Sequence, residues 1–123
     1  MSRAQDLGKR AEDMAAEYLR GLGWPILSRN FTCPCAGGEL DIIAIDKDEN
    51  ELVAVEVRCR TLGEVQSPAD SIGPKKLKSL IQAGSVYVEQ VNWQGPWRID
   101  LIGITASHGY NWPIEHVRGI TDS

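Results

Sequence analysis

Two runs rich in strand-forming residues, 39–46 and 51–60, stand on either side of four consecutive polar residues, Lys47-Asp48-Glu49-Asn50. Isoleucine and valine dominate both runs, and a compact polar connection between such runs is the signature of a β-hairpin. This commits the chain to a sheet and also sets a register. A symmetric four-residue turn pairs Asp46 with Glu51, and counting back places Asp41 opposite Glu56 and Glu39 opposite Arg58. Side chains alternate between the faces of a strand. Glu39, Asp41, Ile43 and Ile45 are therefore expected on one side of the first strand. Ala54, Glu56, Arg58 and Arg60 are expected on one side of the second.

The rest of the chain supplies partners for that sheet. Leu7, Ala11, Met14, Ala15, Tyr18, Leu19 and Leu22 recur at spacings of three and four, which predicts an amphipathic helix over 3–22. Ser2 suits its N-cap and Gly23 the left-handed residue beyond its end. A short strand is expected over 26–32, then a loop over 33–38, where Pro34 and the glycines Gly37 and Gly38 break pairing. Residues 61–73 read as irregular. Pro74 fits the first position of a second helix running to about Gln90, with Leu77, Leu80, Ile81, Gly84 and Tyr87 on one face. A strand over 97–105 and a short edge strand within 114–120 complete the expectation. Residues 1–123 then form one α/β domain, a mixed sheet of about five strands flanked by helices.

Composition narrows the functional classes. A chain of 123 residues, 42% hydrophobic and 24% charged, excludes a disordered or collagen-like protein. No apolar run approaches the ~20 residues of a membrane helix, and the first residues lack the apolar core of an export signal. No membrane partner and a cytoplasmic location are the expectations. Thirteen basic against seventeen acidic residues leave a net charge of −4, the wrong overall sign for binding nucleic acid by electrostatics alone. Such a role needs a local basic patch or metal ions among carboxylates. Arg58, Arg60, Lys75, Lys76 and Lys78 offer the patch, against only Glu64 and Asp70 in the same stretch, and Arg3, Lys9 and Arg10 can add to it. The three lysines crowd the start of the second helix, where cations oppose the helix dipole. An anionic partner would explain them, and so would plain solvation.

The hairpin register sets two carboxylates across from one another in otherwise apolar strands. Like charges so placed destabilise a sheet, and buried carboxylates resist ionisation. A shared proton, a neighbouring arginine or a bound cation can compensate them, and hard carboxylate oxygens suit Mg²⁺ or Mn²⁺. The same spacing permits a plainer arrangement, a Glu39–Arg58 ion pair with Asp41 and Glu56 turned to solvent.

These residues resemble a known pattern. Gly38-Glu39-Leu40-Asp41-Ile42-Ile43, followed by Val55-Glu56-Val57-Arg58, is similar to the bipartite motif of PD-(D/E)XK nucleases, which carry an Asp on one strand and Glu-x-Lys on the next. Further matches are Gly8, Glu12, Ala15, Tyr18 and Leu19 in the first helix, Ser67-Pro68, the lysines of the second helix, and Arg98-Ile99-Asp100-Leu101-Ile102. Together they resemble the YraN-like family of small uncharacterised bacterial proteins, themselves similar to archaeal Holliday-junction resolvases.

The resemblance implies a restriction-endonuclease-like fold in which Asp41, Glu56 and the Val57 carbonyl hold Mg²⁺ or Mn²⁺. It further implies that Glu12 reaches the metal through water, and that Glu39 at most supports the site. The implied chemistry is metal-assisted phosphodiester hydrolysis of branched or single-stranded DNA, with nucleic acid as partner and a homodimer as the working form. Arg58 departs from the motif, since an arginine stabilises charge on phosphorus but cannot act as a base. Two alternatives follow from that departure and from the acidic balance. One is a degenerate nuclease fold that binds without turnover. The other is an adaptor whose acidic hairpin docks a basic protein.

Remaining features point to no chemistry. Cys33 and Cys35, with Cys59 and His108 or His116, lack the ligand spacing of structural zinc sites and read as reduced thiols. Trp24, Trp93, Trp97 and Trp112 read as packing residues.

Overall fold

The computed structural model of the chain describes residues 3–33, 38–63, 67–109 and 111–121. Helix α1 (Arg3–Gly21) precedes strands β1 (Ile26–Cys33), β2 (Gly38–Asp46) and β3 (Glu51–Thr61). A short 3-10 turn at Ala69–Ser71 leads into helix α2 (Pro74–Gln90), then β4 (Trp97–Ala106) and β5 (Ile114–Val117). The five strands form one mixed sheet in chain order. All neighbours are antiparallel except β3 and β4, which run parallel. A parallel pair needs a crossover, and α2 is that crossover. This is the α/β architecture expected, with one helix on each face of the sheet.

The two faces carry separate cores. Ala11, Ala15, Ala16 and Leu19 of α1 pack on Ile42, Ala44, Val53, Val55, Ile102 and Ile104. Leu80, Ala83 and Tyr87 of α2 pack on Leu40, Ile43, Ile45, Leu52, Ala54 and Ile99. The α1 stripe ends where expected. Gly23 has φ 84° and donates its amide to Arg20, while Trp24 donates to Leu19, a left-handed helix stop. Leu22 lies past the helix and is exposed. Ser2 lies outside the described residues.

Two boundaries and one helix face differ from expectation. Cys33 and Gly38 belong to strands, because β1 and β2 pair as far as Cys33 with Gly38; residues 34–37 lie outside the described residues. The second helix buries Leu80, Ala83, Gly84 and Tyr87, whereas Ile81, about 100° round the helix from Leu80, is exposed. Gly84 is what lets this face close on the sheet, since a Cβ there would stand 2.4 Å from the Trp97 ring. Finally, β5 stops at Val117, and the chain turns so that the Gly119 amide donates to Asp100 Oδ1 at 2.9 Å.

That last bond belongs to a polar network buried under α1, at the end of the sheet where β2 meets its turn. Arg98 donates to Asp100 (Nε to Oδ1, 2.9 Å) and to Asp46 (Nη2 to Oδ2, 2.8 Å). His116 bridges Asp100 Oδ2 at 2.8 Å and the Tyr18 hydroxyl at 3.0 Å. Asp46 and Asp100 are completely buried. Burial alone would raise both carboxyls, but the Arg98 bonds, with His116 and Gly119 at Asp100 and the Asp48 and Glu49 amides at Asp46, hold them below the usual range. The network ties β2, β4 and β5 to α1. Among the described residues, no helix is long and apolar enough to cross a membrane.

Candidate metal centre

The hairpin pairs Asp46 with Glu51 and continues to Ile42 opposite Val55, as the turn length requires. The ladder ends there, one step short of Asp41 and Glu56, whose carboxyls nonetheless share a hydrogen bond. The pleat of β2 does not continue regularly through this point. Leu40 packs in the α2-side core and Ile42 in the α1-side core, although strict alternation would put them on one face. On the neighbouring strand the pairing runs Arg29 to Ile42 and Phe31 to Leu40, and the intervening Asn30 has φ 55°. Asparagine enters this left-handed region more readily than most residues. The inversion sets Asp41 at the boundary between the two faces of the sheet.

Asp41 is anchored there by the backbone. Its Oδ2 accepts the Val57 amide at 2.8 Å. Glu39, expected beside Asp41 and opposite Arg58, goes elsewhere. With its amide nitrogen turned toward them, Asn30 donates to Glu39 and Glu12 at 3.0 Å each. No Glu39–Arg58 ion pair forms among the described residues; Arg58 turns along its own strand to Glu56 instead.

Glu56 is the buried acid of the site, with 5% of its side chain exposed. Arg58 Nη2 and Lys76 Nζ stand 3.3 and 3.4 Å from the same oxygen, Glu56 Oε2. Burial is the main influence on its carboxyl, followed by the charge of Asp41 and a hydrogen bond shared with it. Lys76 and Arg58 oppose these only in part, and the carboxyl is pushed up to about 7. On the other flank, burial and then Asp41 also raise Glu12, against the pull of Arg29. Arg29 lies 3.9 Å from Glu12 but 2.8 Å from Asp13, which holds it more closely. Asp41 is thus felt by one acid from each face.

These residues fit a hard divalent cation. Two carboxylates and the neighbouring Val57 carbonyl offer oxygen donors only, and Mg²⁺ is ordinarily held by one or two carboxylates plus water. The observation that supports the fit is a second carboxylate, Asp41, set against buried Glu56, a like-charge pair of oxygen donors that Arg58 and Lys76 reach on one oxygen only. Among the described residues, no three His, Cys, Asp or Glu side chains are gathered into a metal-holding group, so Glu12 is a neighbour of the pair and not a third side chain closed around it. Among the described residues zinc is not served elsewhere. Cys33 faces the α2-side core and Cys59 the α1-side core, so the sheet separates them. Cys35 is outside the described residues, His108 is exposed, and His116 is committed to Asp100 and Tyr18.

The basic residues divide into two groups. Arg58 and Lys76 line the site, each with 38% of its side chain exposed. Lys75 and Lys78 point to solvent, and Arg60 donates to Thr105 Oγ1 at 3.1 Å. Glu64 is outside the described residues. Lys9 lines an open groove with Gly8, Glu12, Arg29 and Asn30, beside the carboxylates. Arg10 lies over the Trp112 ring, 3.9 Å from its centroid, on the other flank of α1. Sequence reasoning missed Asn30 and Arg29 as neighbours of the acids, and Lys76 as a partner of Glu56, because all three arrive through tertiary packing.

The sequence pattern of the uncharacterised protein family UPF0102 matches residues 11–104. The chain belongs to this family. A UPF0102 protein of Pseudarthrobacter chlorophenolicus is 34% identical over 122 residues, covering 98% of this chain and 89% of the relative. UPF0102 proteins of Pseudomonas putida and Flavobacterium johnsoniae are 36% and 37% identical, over 90% and 95% of this chain and 89% and 94% of their own lengths. The UPF0102 match agrees with the YraN-like resemblance. Its span takes in Glu12, Asp41, Glu56, Arg58 and Lys76, and stops before β5.

Proposed function

We propose that this UPF0102 protein is a nuclease-fold protein that binds branched or single-stranded DNA and hydrolyses a phosphodiester with Mg²⁺ or Mn²⁺. The observation that carries this is the convergence of Asp41, fixed by the Val57 amide, on buried Glu56. Asp41, Glu56 and the Val57 carbonyl would hold the cation, with Glu12 acting through water. The bound ion would polarise the phosphate and lower the pKa of an attacking water. Arg58 remains a cation at any working pH, so its part is to stabilise negative charge building on phosphorus. Lys75 and Lys78 supply exposed positive charge near the start of α2, enough to hold phosphates without reading sequence.

The test is incubation of the pure protein with labelled four-way-junction, flap and single-stranded DNAs in Mg²⁺ or Mn²⁺. Cleavage of one class that disappears in Asp41→Ala and Glu56→Ala is the expected result; cleavage unchanged in both variants clears those residues of the role. Arg58 in place of lysine favours a second reading, a module that binds DNA without cutting it. Cleavage gained only in Arg58→Lys would establish that alternative. Salt-sensitive binding to a basic protein, with no affinity for any nucleic acid, would instead indicate an adaptor.

A further inference from the structure

Glu56 Oε2 already has two cationic partners. Arg58 and Lys76 approach the same oxygen at 3.3 and 3.4 Å, one from its own strand and one from the first turn of the crossover helix. That oxygen is buried, whereas both cations retain access to solvent. Lys76 is thus the one residue of the helical lysine group that turns inward; Lys75 and Lys78 on either side of it are exposed. A divalent ion approaching Glu56 would compete with these two cations for the same carboxylate and would be repelled by them at short range. Both side chains are long and carry only donors, so one displaced from Glu56 can turn those donors to an anion.

We infer that Lys76, together with Arg58, is an exchangeable counter-ion of Glu56 that passes to a nucleic-acid phosphate when a divalent cation binds. Resting on the metal-dependent reading above, this makes metal and DNA mutually dependent ligands. DNA phosphate draws Lys76 off Glu56 and opens the carboxylate to the metal, and the metal releases Lys76 to the phosphate. Reciprocity is required, since each ligand must alter the other's affinity by the same factor. The role differs from that of Lys75 and Lys78, which can attract DNA but touch no acid of the metal pair.

The experiment measures Mn²⁺ binding by calorimetry with and without a four-way DNA junction, and junction binding by fluorescence anisotropy with Ca²⁺ or EDTA. Wild type, Lys76→Met and Lys75→Met are compared. In the wild type the junction should tighten Mn²⁺ binding by about five-fold or more, the low end of ordinary coupling. Lys76→Met should bind Mn²⁺ more tightly than the wild type without DNA, and its coupling factor should fall toward unity. Lys75→Met should weaken junction binding while leaving the DNA-free Mn²⁺ affinity and the coupling factor unchanged. Equal DNA-free Mn²⁺ affinities and equal coupling factors in wild type and Lys76→Met would overturn this inference alone. A wild type that binds neither Mn²⁺ nor DNA would overturn it and the proposed function with it.

Discussion

Asp41 accepts the Val57 amide at 2.8 Å, just beyond the Ile42–Val55 pair where the regular β2–β3 ladder ends. The bond fixes one carboxylate oxygen on the backbone, and the Asp41 carboxyl shares a hydrogen bond with Glu56. An asparagine at position 41 retains an oxygen to accept that amide but loses the charge a cation needs. Asp41→Asn also removes the like charge that raises Glu56 and Glu12, so without metal it should melt no lower than the wild type. The wild type should gain stability on adding Mn²⁺, as any ligand confined to the native state requires, by about 2.7 kcal/mol at a hundred times its dissociation constant. Thermal melts with and without Mn²⁺ check this. A variant that gains as much as the wild type would show that Asp41 is no ligand.

Glu56 gives a pH dependence of definite sign. Its carboxyl is raised from the ordinary 4.5 to about 7 in the folded chain, so between those values the native state holds a proton that the unfolded state has released. Metal-free stability should fall as pH rises through that window, by on the order of 3 kcal/mol for a shift of this size. Glu56→Gln removes the ionisation while keeping the shape. Its stability should track the wild type near pH 4.5 and exceed it at pH 8, and Mn²⁺ should stabilise only the wild type. Urea unfolding at pH 4.5 and pH 8 measures both differences; a wild type no less stable than the variant at pH 8 would refute the assignment.

The part of the site lying within the hairpin was legible in the sequence because a four-residue turn leaves little choice of register. Asp46 opposite Glu51 carries the count as far as Ile42 opposite Val55, one step short of Asp41 and Glu56. The helices were legible because apolar spacing and Gly23 are local signals. The inverted pleat was not, since it depends on Asn30 taking φ 55° within an edge strand, and the sequence around Asn30 reads as ordinary β. That inversion is why Glu39 and Asp41 part company. Lys76 also looked like one of three equivalent lysines. Only the packing of α2 on the sheet, set by Leu80, Ala83, Gly84 and Tyr87, turns it to Glu56 while Lys75 and Lys78 face water. His116 carried no motif because its partners, Tyr18 and Asp100, come from α1 and β4.

Close packing of α2 is itself testable. A methyl group at position 84 would meet the Trp97 ring at 2.4 Å, and neither a helix backbone nor a packed indole yields easily. Helix propensity alone favours alanine over glycine by about 1 kcal/mol. Overpacking costs about 1–3 kcal/mol, which outweighs it. Gly84→Ala should therefore destabilise the protein in urea unfolding, and Gly84→Ala combined with Trp97→Leu should lose less than the sum of the two single losses. Strict additivity would mean that Trp97 is not what occupies the space.

The buried network at the other end of the sheet makes the fold depend on charge. Arg98 serves Asp46 and Asp100 together, and both carboxylates are fully buried. Replacing Arg98 by methionine keeps the apolar length of the side chain but leaves two buried carboxylates without the guanidinium they share, with only His116 and the Gly119 amide at Asp100 and the turn amides and a more distant Arg118 at Asp46. Breaking a buried pair in this way costs about 3–5 kcal/mol. Burial would otherwise raise both groups, and they are held low by bonds in which Arg98 takes part. Their contribution is thus present above the ordinary aspartate range and lost as pH falls below it. Arg98→Met should be most destabilising near pH 7, with the deficit shrinking toward pH 4 as the stranded carboxylates take up protons. Urea unfolding of wild type and variant across that range measures the trend. A deficit that stays constant with pH would mean that packing around Arg98, and not its charge, holds β2, β4 and β5 together.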